Sequence, residues 1–136
     1  MAGVVVVAPE DLAYTAAPGR LRADPLVGID DTHESVFIVR PRSGVARTPH
    51  RHDRSAEVMY VIDGSGWAWD DGDLTPISAG SLIYVPAGVP HATIPARDEQ
   101  LVLACFFAQP DVASDTVDLD PLPVETGIGP GGSDGA

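Results

Sequence analysis

The stretch TPHRHDRSAEVMY, residues 48–60, places His50 and His52 one residue apart and Glu57 shortly after them. On an extended strand, side chains two apart share a face, so the two imidazoles project together. The polar turn DRSA then lets Glu57 open the next, antiparallel strand opposite them. A fourth donor, His91, opens a strand just after the tight turn PAGVP. Three imidazoles and one carboxylate suit a divalent first-row transition metal, and they leave room at an octahedral ion for water, dioxygen or a substrate with two adjacent oxygens. His33, in DDTHES, lies outside this grouping and is read as a surface residue.

Short strands must position these groups. Thirteen prolines and fourteen glycines in 136 residues interrupt the chain too often for long helices, and the segments between them are rich in valine and isoleucine. The pattern is all-β, with strands expected at 34–40, 57–63, 66–71, 81–86, 91–95 and 100–108. Their even spacing is that of a sandwich or barrel. Turn signals stand between them: PRSG at 41–44, DGSG at 63–66, DDGD at 70–73 and PAGVP at 86–90, each able to reverse the chain. Gly44, Gly64, Gly80 and Gly88 fall in turns where positive φ or close backbone approach is expected.

Composition narrows the partners. Hydrophobic residues make up 44% of the chain and charged residues 21%, the balance of a folded protein, and the length fits one core. The formal charge is −12 and there is no lysine. Such a surface repels phosphate backbones and anionic lipid, so a small molecule is expected as partner, with no nucleic acid and no membrane. The early apolar run from Val4 to Ala8 lacks the length and basic flank of a signal peptide, and no segment reaches the length of a membrane span. The single cysteine, Cys105, in the apolar run LVLACFF, reads as a buried small hydrophobe, and its lack of a disulfide partner agrees with a cytoplasmic location. No nucleophile stands at a telling distance from a base, and neither a phosphate-binding glycine loop nor paired zinc cysteines occur. Any chemistry therefore falls to the metal and what binds beside it.

Two stretches resemble the paired motifs of the cupins. GVARTPHRHDRSAEVMYVIDG matches the first motif through Gly44, His50, His52, Glu57 and Gly64, and GSLIYVPAGVPHATIP matches the second through Gly80, Pro86, Gly88 and His91. Pro95 stands where the second motif often closes with asparagine. The resemblance covers roughly residues 35–108. It implies a double-stranded β-helix, or jelly-roll, barrel with His50, His52, Glu57 and His91 holding one divalent transition metal per chain. Iron(II) is the favoured ion, with zinc, nickel, manganese and copper as alternatives. Among activities the resemblance implies dioxygenases first, then metal-dependent isomerases, cyclases and decarboxylases; a barrel that only binds a small ligand is the non-catalytic alternative. Cupins of this size usually pair, so a homodimer is expected.

Around this barrel, residues 1–34 are expected to add a strand and irregular cover, and residues 35–110 to form the barrel. Residues 111–136, acidic and rich in glycine and proline, read as a mobile tail. Arg40, Met59, Tyr84 and Phe106 are the expected pocket residues beyond the ligands. Arg40 would hold a substrate carboxylate if its face of the strand points inward. Alternation from His50 and His52 sends Arg47 and Arg51 outward to solvent or aspartate partners. The same alternation sends Met59 into the barrel beside Glu57.

Overall fold

A computed structural model of the chain describes residues 3–122. The structure has ten strands and no α-helix among the described residues: β1 (Tyr14–Ala17), β2 (Arg20–Ala23), β3 (Ser35–Pro41), β4 (His50–His52), β5 (Glu57–Asp70), β6 (Asp73–Ser78), β7 (Leu82–Val85), β8 (Ala92–Pro95), β9 (Leu101–Phe107) and β10 (Thr116–Asp118). One sheet runs β1-β2-β3-β9-β5-β6, with β7 and β8 also pairing β5, and β10 pairs β4 in a second, two-stranded sheet. All these pairings are antiparallel.

The curl of the sheet comes from β5. Its first half, from Glu57, pairs with β7 and β9, while its second half, from Ser65, pairs with β6 and β8. The segment DGSG, expected as a reversal, is instead the point where one continuous strand changes sheets. A register shift between Val61 and Asp63 and a φ of +87° at Gly64 bend it there. The true reversal is DDGD, where Asp71 and Gly72 both take positive φ, the requirement of a two-residue hairpin turn. The following strand β6 contains Pro76 and lies at a sheet edge, the place where a strand tolerates proline.

Alternation sorts the side chains. Met59 and Val61 from β5, Leu101, Leu103, Cys105 and Phe107 from β9, and Val39 from β3 form the core. On the outer face of β5, β7 and β9, Tyr60, Ile62, Leu82, Tyr84 and Phe106 are exposed, and register sets them side by side: Val58 lies opposite both Tyr84 and Phe106, and Tyr60 opposite Leu82. His33 is exposed.

The start of the expected mobile tail is built into the fold. Val112 is fully buried, β10 pairs with β4, and the backbone of Leu119 and Leu122 donates to the carbonyls of Pro49 and Arg47. The ordering comes from these distant partners, which local composition does not reveal. Residues 123–136 lie outside the described residues.

Asp115 fastens this segment to the turn after β4. Its carboxylate accepts from the backbone N–H of Asp53 and Arg54 and from the Gln109 amide, and it lies 3.3 Å from Arg54 Nε. Burial works to raise its pKa, but hydrogen bonds from Gln109, Arg54 and Asp53 outweigh burial and hold it below the ordinary 3.8. A depressed folded-state pKa contributes stability that is fully present above the ordinary value and is lost as the pH falls from there through the lower, folded-state value. Asp115→Asn is therefore expected to lower the melting temperature at neutral pH, by an amount that shrinks as melts are repeated below about pH 4. Equal loss at every pH would show that the carboxylate's charge plays no part.

Candidate metal centre

Strand β4 carries His50 and His52, the first residue of β5 is Glu57, and His91 precedes β8. Reciprocal backbone hydrogen bonds join His50 and His91, N–H to carbonyl at 3.1 and 2.9 Å. Gly88 N–H donates to the His52 carbonyl, tying the PAGVP turn to β4. These links bring one donor atom from each of His50, His52, Glu57 and His91 within 4.8 Å of one another. His52, Glu57 and His91 are each buried.

Hydrogen bonding fixes the imidazole tautomers. His91 Nδ1 lies 2.9 Å from the Val89 carbonyl, which only accepts, so Nδ1 carries the proton. Thr116 Oγ1 donates to the Val112 carbonyl at 2.8 Å and so accepts from His52 Nδ1 at 3.1 Å. In both rings the other nitrogen, Nε2, is then the one turned toward the interior of the site. These Nε2 atoms converge on Glu57 Oε1, at 2.8 Å from His91 and 3.4 Å from His52. His52 Nε2 and His50 Nδ1 are buried without a hydrogen-bond partner.

Three imidazoles and a carboxylate facing one another in a buried site call for a shared cation, a proton or a metal ion. Burial would raise the Glu57 pKa, but the His52 and His91 rings beside it hold it at about 2, so the carboxylate is ionised. Burial, followed by the His91 charge, lowers His50 to about 2, so this ring is neutral. A transition metal binds such a carboxylate together with the ring nitrogens and displaces any proton shared between them. The residues present fit a divalent ion, and Thr116 and the Val89 carbonyl supply the outer hydrogen bonds that orient two of the rings.

The cavity around this cluster holds about 40 Å³ of free space, room for roughly three water-sized groups. Met59 lines it, as alternation from Glu57 indicated. Cys105 also lines it, and burial followed by the Glu57 charge raises its thiol well above the ordinary value, so it is a neutral wall. Phe107 packs edge-on against His52, ring centroids 4.8 Å apart.

Three of the expected pocket residues lie elsewhere. Phe106 is on the outer face, one position from the inward Phe107. Tyr84 is exposed and lines a separate groove of about 390 Å³, which shares Met59, His91 and Ala92 with the metal cavity. Arg40 does not line the cavity: inward Val39 sends it outward, where its guanidinium stacks 4.9 Å from the Tyr14 ring.

The arginines that do line the cavity are Arg20, Arg22 and Arg47. Arg47 was expected outside, but β4 begins only at His50, and the alternation does not extend back through the loop before it. Arg47 is buried, donating from Nε to the Thr93 carbonyl at 2.6 Å and from Nη1 to the Gly19 carbonyl at 2.8 Å. Burial and then the Arg20 charge lower its pKa to about 10. Arg51 does face outward and pairs with Asp53 at 2.9 Å. Arg20 and Arg22 had a sequence signal in RLR after the turn PG, basic residues at strand spacing, but which face they take depends on pairing with distant β3.

A family model described as a cupin domain matches residues 36–107. An uncharacterized protein of Methanocaldococcus jannaschii is 28% identical over 71 residues, 52% of this chain and 57% of that protein; the chain thus spans little more than half the length of this curated relative. Among solved structures, a variant of Streptomyces Pac13 with uridine superposes with a TM-score of 0.71 at 18% identity, covering 94% of this chain and 99% of that one. Ectoine synthase from P. lautus superposes at 0.70 and 18% identity, covering 88% and 93%. At these identities the likeness is one of fold, a double-stranded β-helix.

Proposed function

The chain belongs to the cupin family, and on that footing we propose that it is a metal-dependent enzyme acting on a small oxygenated molecule, with His50, His52, Glu57 and His91 as the metal ligands. The observation that carries this reading is the convergence of Nε2 of His52 and of His91 on the ionised Glu57 in a buried cavity. When bound, the metal supplies Lewis-acid polarisation of a substrate oxygen or, as iron(II), access to dioxygen.

The chain's own residues then hold and shield the substrate. The small cavity admits the polar groups of a molecule, about three oxygen-sized atoms, and excludes its bulk. Phe107, Met59 and Val39 keep its apolar wall dry, which strengthens every charge interaction inside. Thr116 fixes the His52 ring against rotation.

Two reaction types compete. Pac13 is described as a nucleoside dehydratase and a second neighbour as ectoine synthase, and these names favour non-redox elimination, cyclisation or isomerisation. The three-histidine, one-carboxylate donor set equally suits iron(II) and a dioxygenase. Protein loaded with iron(II) or with zinc, incubated with small hydroxy acids and catechols, separates them. Product formed with zinc and without oxygen uptake supports the Lewis-acid reading, and oxygen uptake confined to the iron form supports the dioxygenase. Turnover with neither metal across the panel, in protein that holds one ion per chain, counts against an enzyme and for a binding barrel.

The reading includes a homodimer through the exposed face of Tyr60, Ile62, Leu82, Tyr84 and Phe106, a contiguous apolar surface of the kind that marks interfaces. Light scattering at micromolar concentration is expected to give twice the chain mass, and a monomer mass rejects it.

A further inference from the structure

Three guanidinium groups line one small cavity, and among the described residues no carboxylate lies within ion-pair distance of Arg20, Arg22 or Arg47. The arginine ion pairs present, Arg51 with Asp53 and Arg54 with Asp115, lie elsewhere. Like charges in a partly desolvated space repel, and burial of a cation with no carboxylate paired to it is costly, a cost at Arg20 that the more distant Asp118 and Glu57 offset only in part. Arg20 is 7% exposed, and burial, followed by the charge of Arg22, lowers its pKa.

Structural duty accounts for part of the cluster only. Arg47 anchors two loops through the carbonyls of Thr93 and Gly19. Arg20 spends one donor, Nη1, on the Pro18 carbonyl at 2.9 Å, out of the five a guanidinium offers. Arg22 makes no described side-chain hydrogen bond and stacks 4.6 Å from the Phe37 ring, which fixes its plane and leaves its fork free. Pairing of β2 with β3 sets Arg22 opposite the core residue Val39, and Arg20 lies two positions away on the same face.

We propose that Arg20 and Arg22 form an anion-binding subsite beside the metal centre, so that the substrate carries a carboxylate or phosphate in addition to the oxygen that approaches the metal. This rests on the metal reading of the same cavity and narrows it to an anionic substrate class. It also gives the acidic protein a local positive site, which draws an anion past a surface of net charge −12.

The test uses two probes. With zinc-loaded protein, calorimetry compares malate, whose second carboxylate can reach the arginines, with glycolate, which lacks one. With chelator-treated protein, inorganic phosphate reports the arginines alone. Wild type is expected to bind malate about tenfold or more tighter than glycolate, as a charge-assisted pair requires. Arg22→Gln and Arg20→Gln are expected to erase that ratio and to weaken phosphate by a similar factor, with zinc per chain unchanged. Arg22 is only half-buried, so if Arg20→Gln fails to fold, Arg22→Gln decides alone. A malate-to-glycolate ratio near one in wild type, or one unchanged in Arg22→Gln, overturns the subsite. Failure to take up zinc overturns the metal reading instead, and the phosphate comparison then judges the arginines independently.

Discussion

Glu57→Gln is expected to weaken metal binding by more than a hundredfold while leaving the barrel folded. Glu57 supplies the only negative charge among the four converging groups, and its Oε1 is the atom that His52 and His91 both approach. The cavity also contains three arginines and no other carboxylate among its lining residues, so without that charge nothing in it offsets their repulsion of a divalent cation. Four-ligand sites bind zinc with apparent free energies of about 10–16 kcal/mol, so one ligand is worth roughly 3 kcal/mol, or more than a factor of a hundred. Glutamine keeps the size and stays within hydrogen-bond reach of His91 Nε2, so the fold is retained. Competition with a chromophoric chelator measures the change. An affinity within a few-fold of wild type would show that Glu57 is not a ligand.

Gly64→Ala is expected to abolish folding or to lower the melting temperature by well over 10 °C. Gly64 has a φ of +87°, and a Cβ there would lie 1.5 Å from the Gln100 carbonyl oxygen. That oxygen belongs to the backbone just before β9, so it cannot swing aside as a side chain would. Relief would require moving β5 away from β9 at the point where β5 changes sheets. Strain of this type falls among the largest single-substitution effects, about 4 kcal/mol or more, against a total stability of roughly 5–15 kcal/mol. Thermal unfolding followed by circular dichroism measures it, and a loss under a few degrees would mean that the two strands can separate there at little cost.

Much of the site was readable from the chain because its signals are local. HRH places two imidazoles on one face by strand period alone, and Glu57 follows at the start of the next strand. The double-stranded β-helix expected from the resemblance is the fold found. The expected positive φ was present at Gly44, Gly64, Gly80 and Gly88. What escaped was non-local. DGSG carries every local mark of a reversal, yet β9 and β6 pair with the residues on either side and hold the strand continuous. Pro76 hid β6, which only an edge position allows. Arg40 and Arg22 look equivalent in sequence, and the register of β2 on β3 alone sends one outward and the other in. Thr116, which fixes the His52 ring, lies in a segment whose acidic, polar composition resembled a free tail and whose order depends on β4.

The most direct measurement is elemental analysis of anaerobically purified wild-type protein beside His52→Ala. One equivalent of a transition metal per chain in the wild type, lost in the variant, is the result expected from the cluster of His50, His52, Glu57 and His91. No metal in either protein, or equal amounts in both, would contradict it.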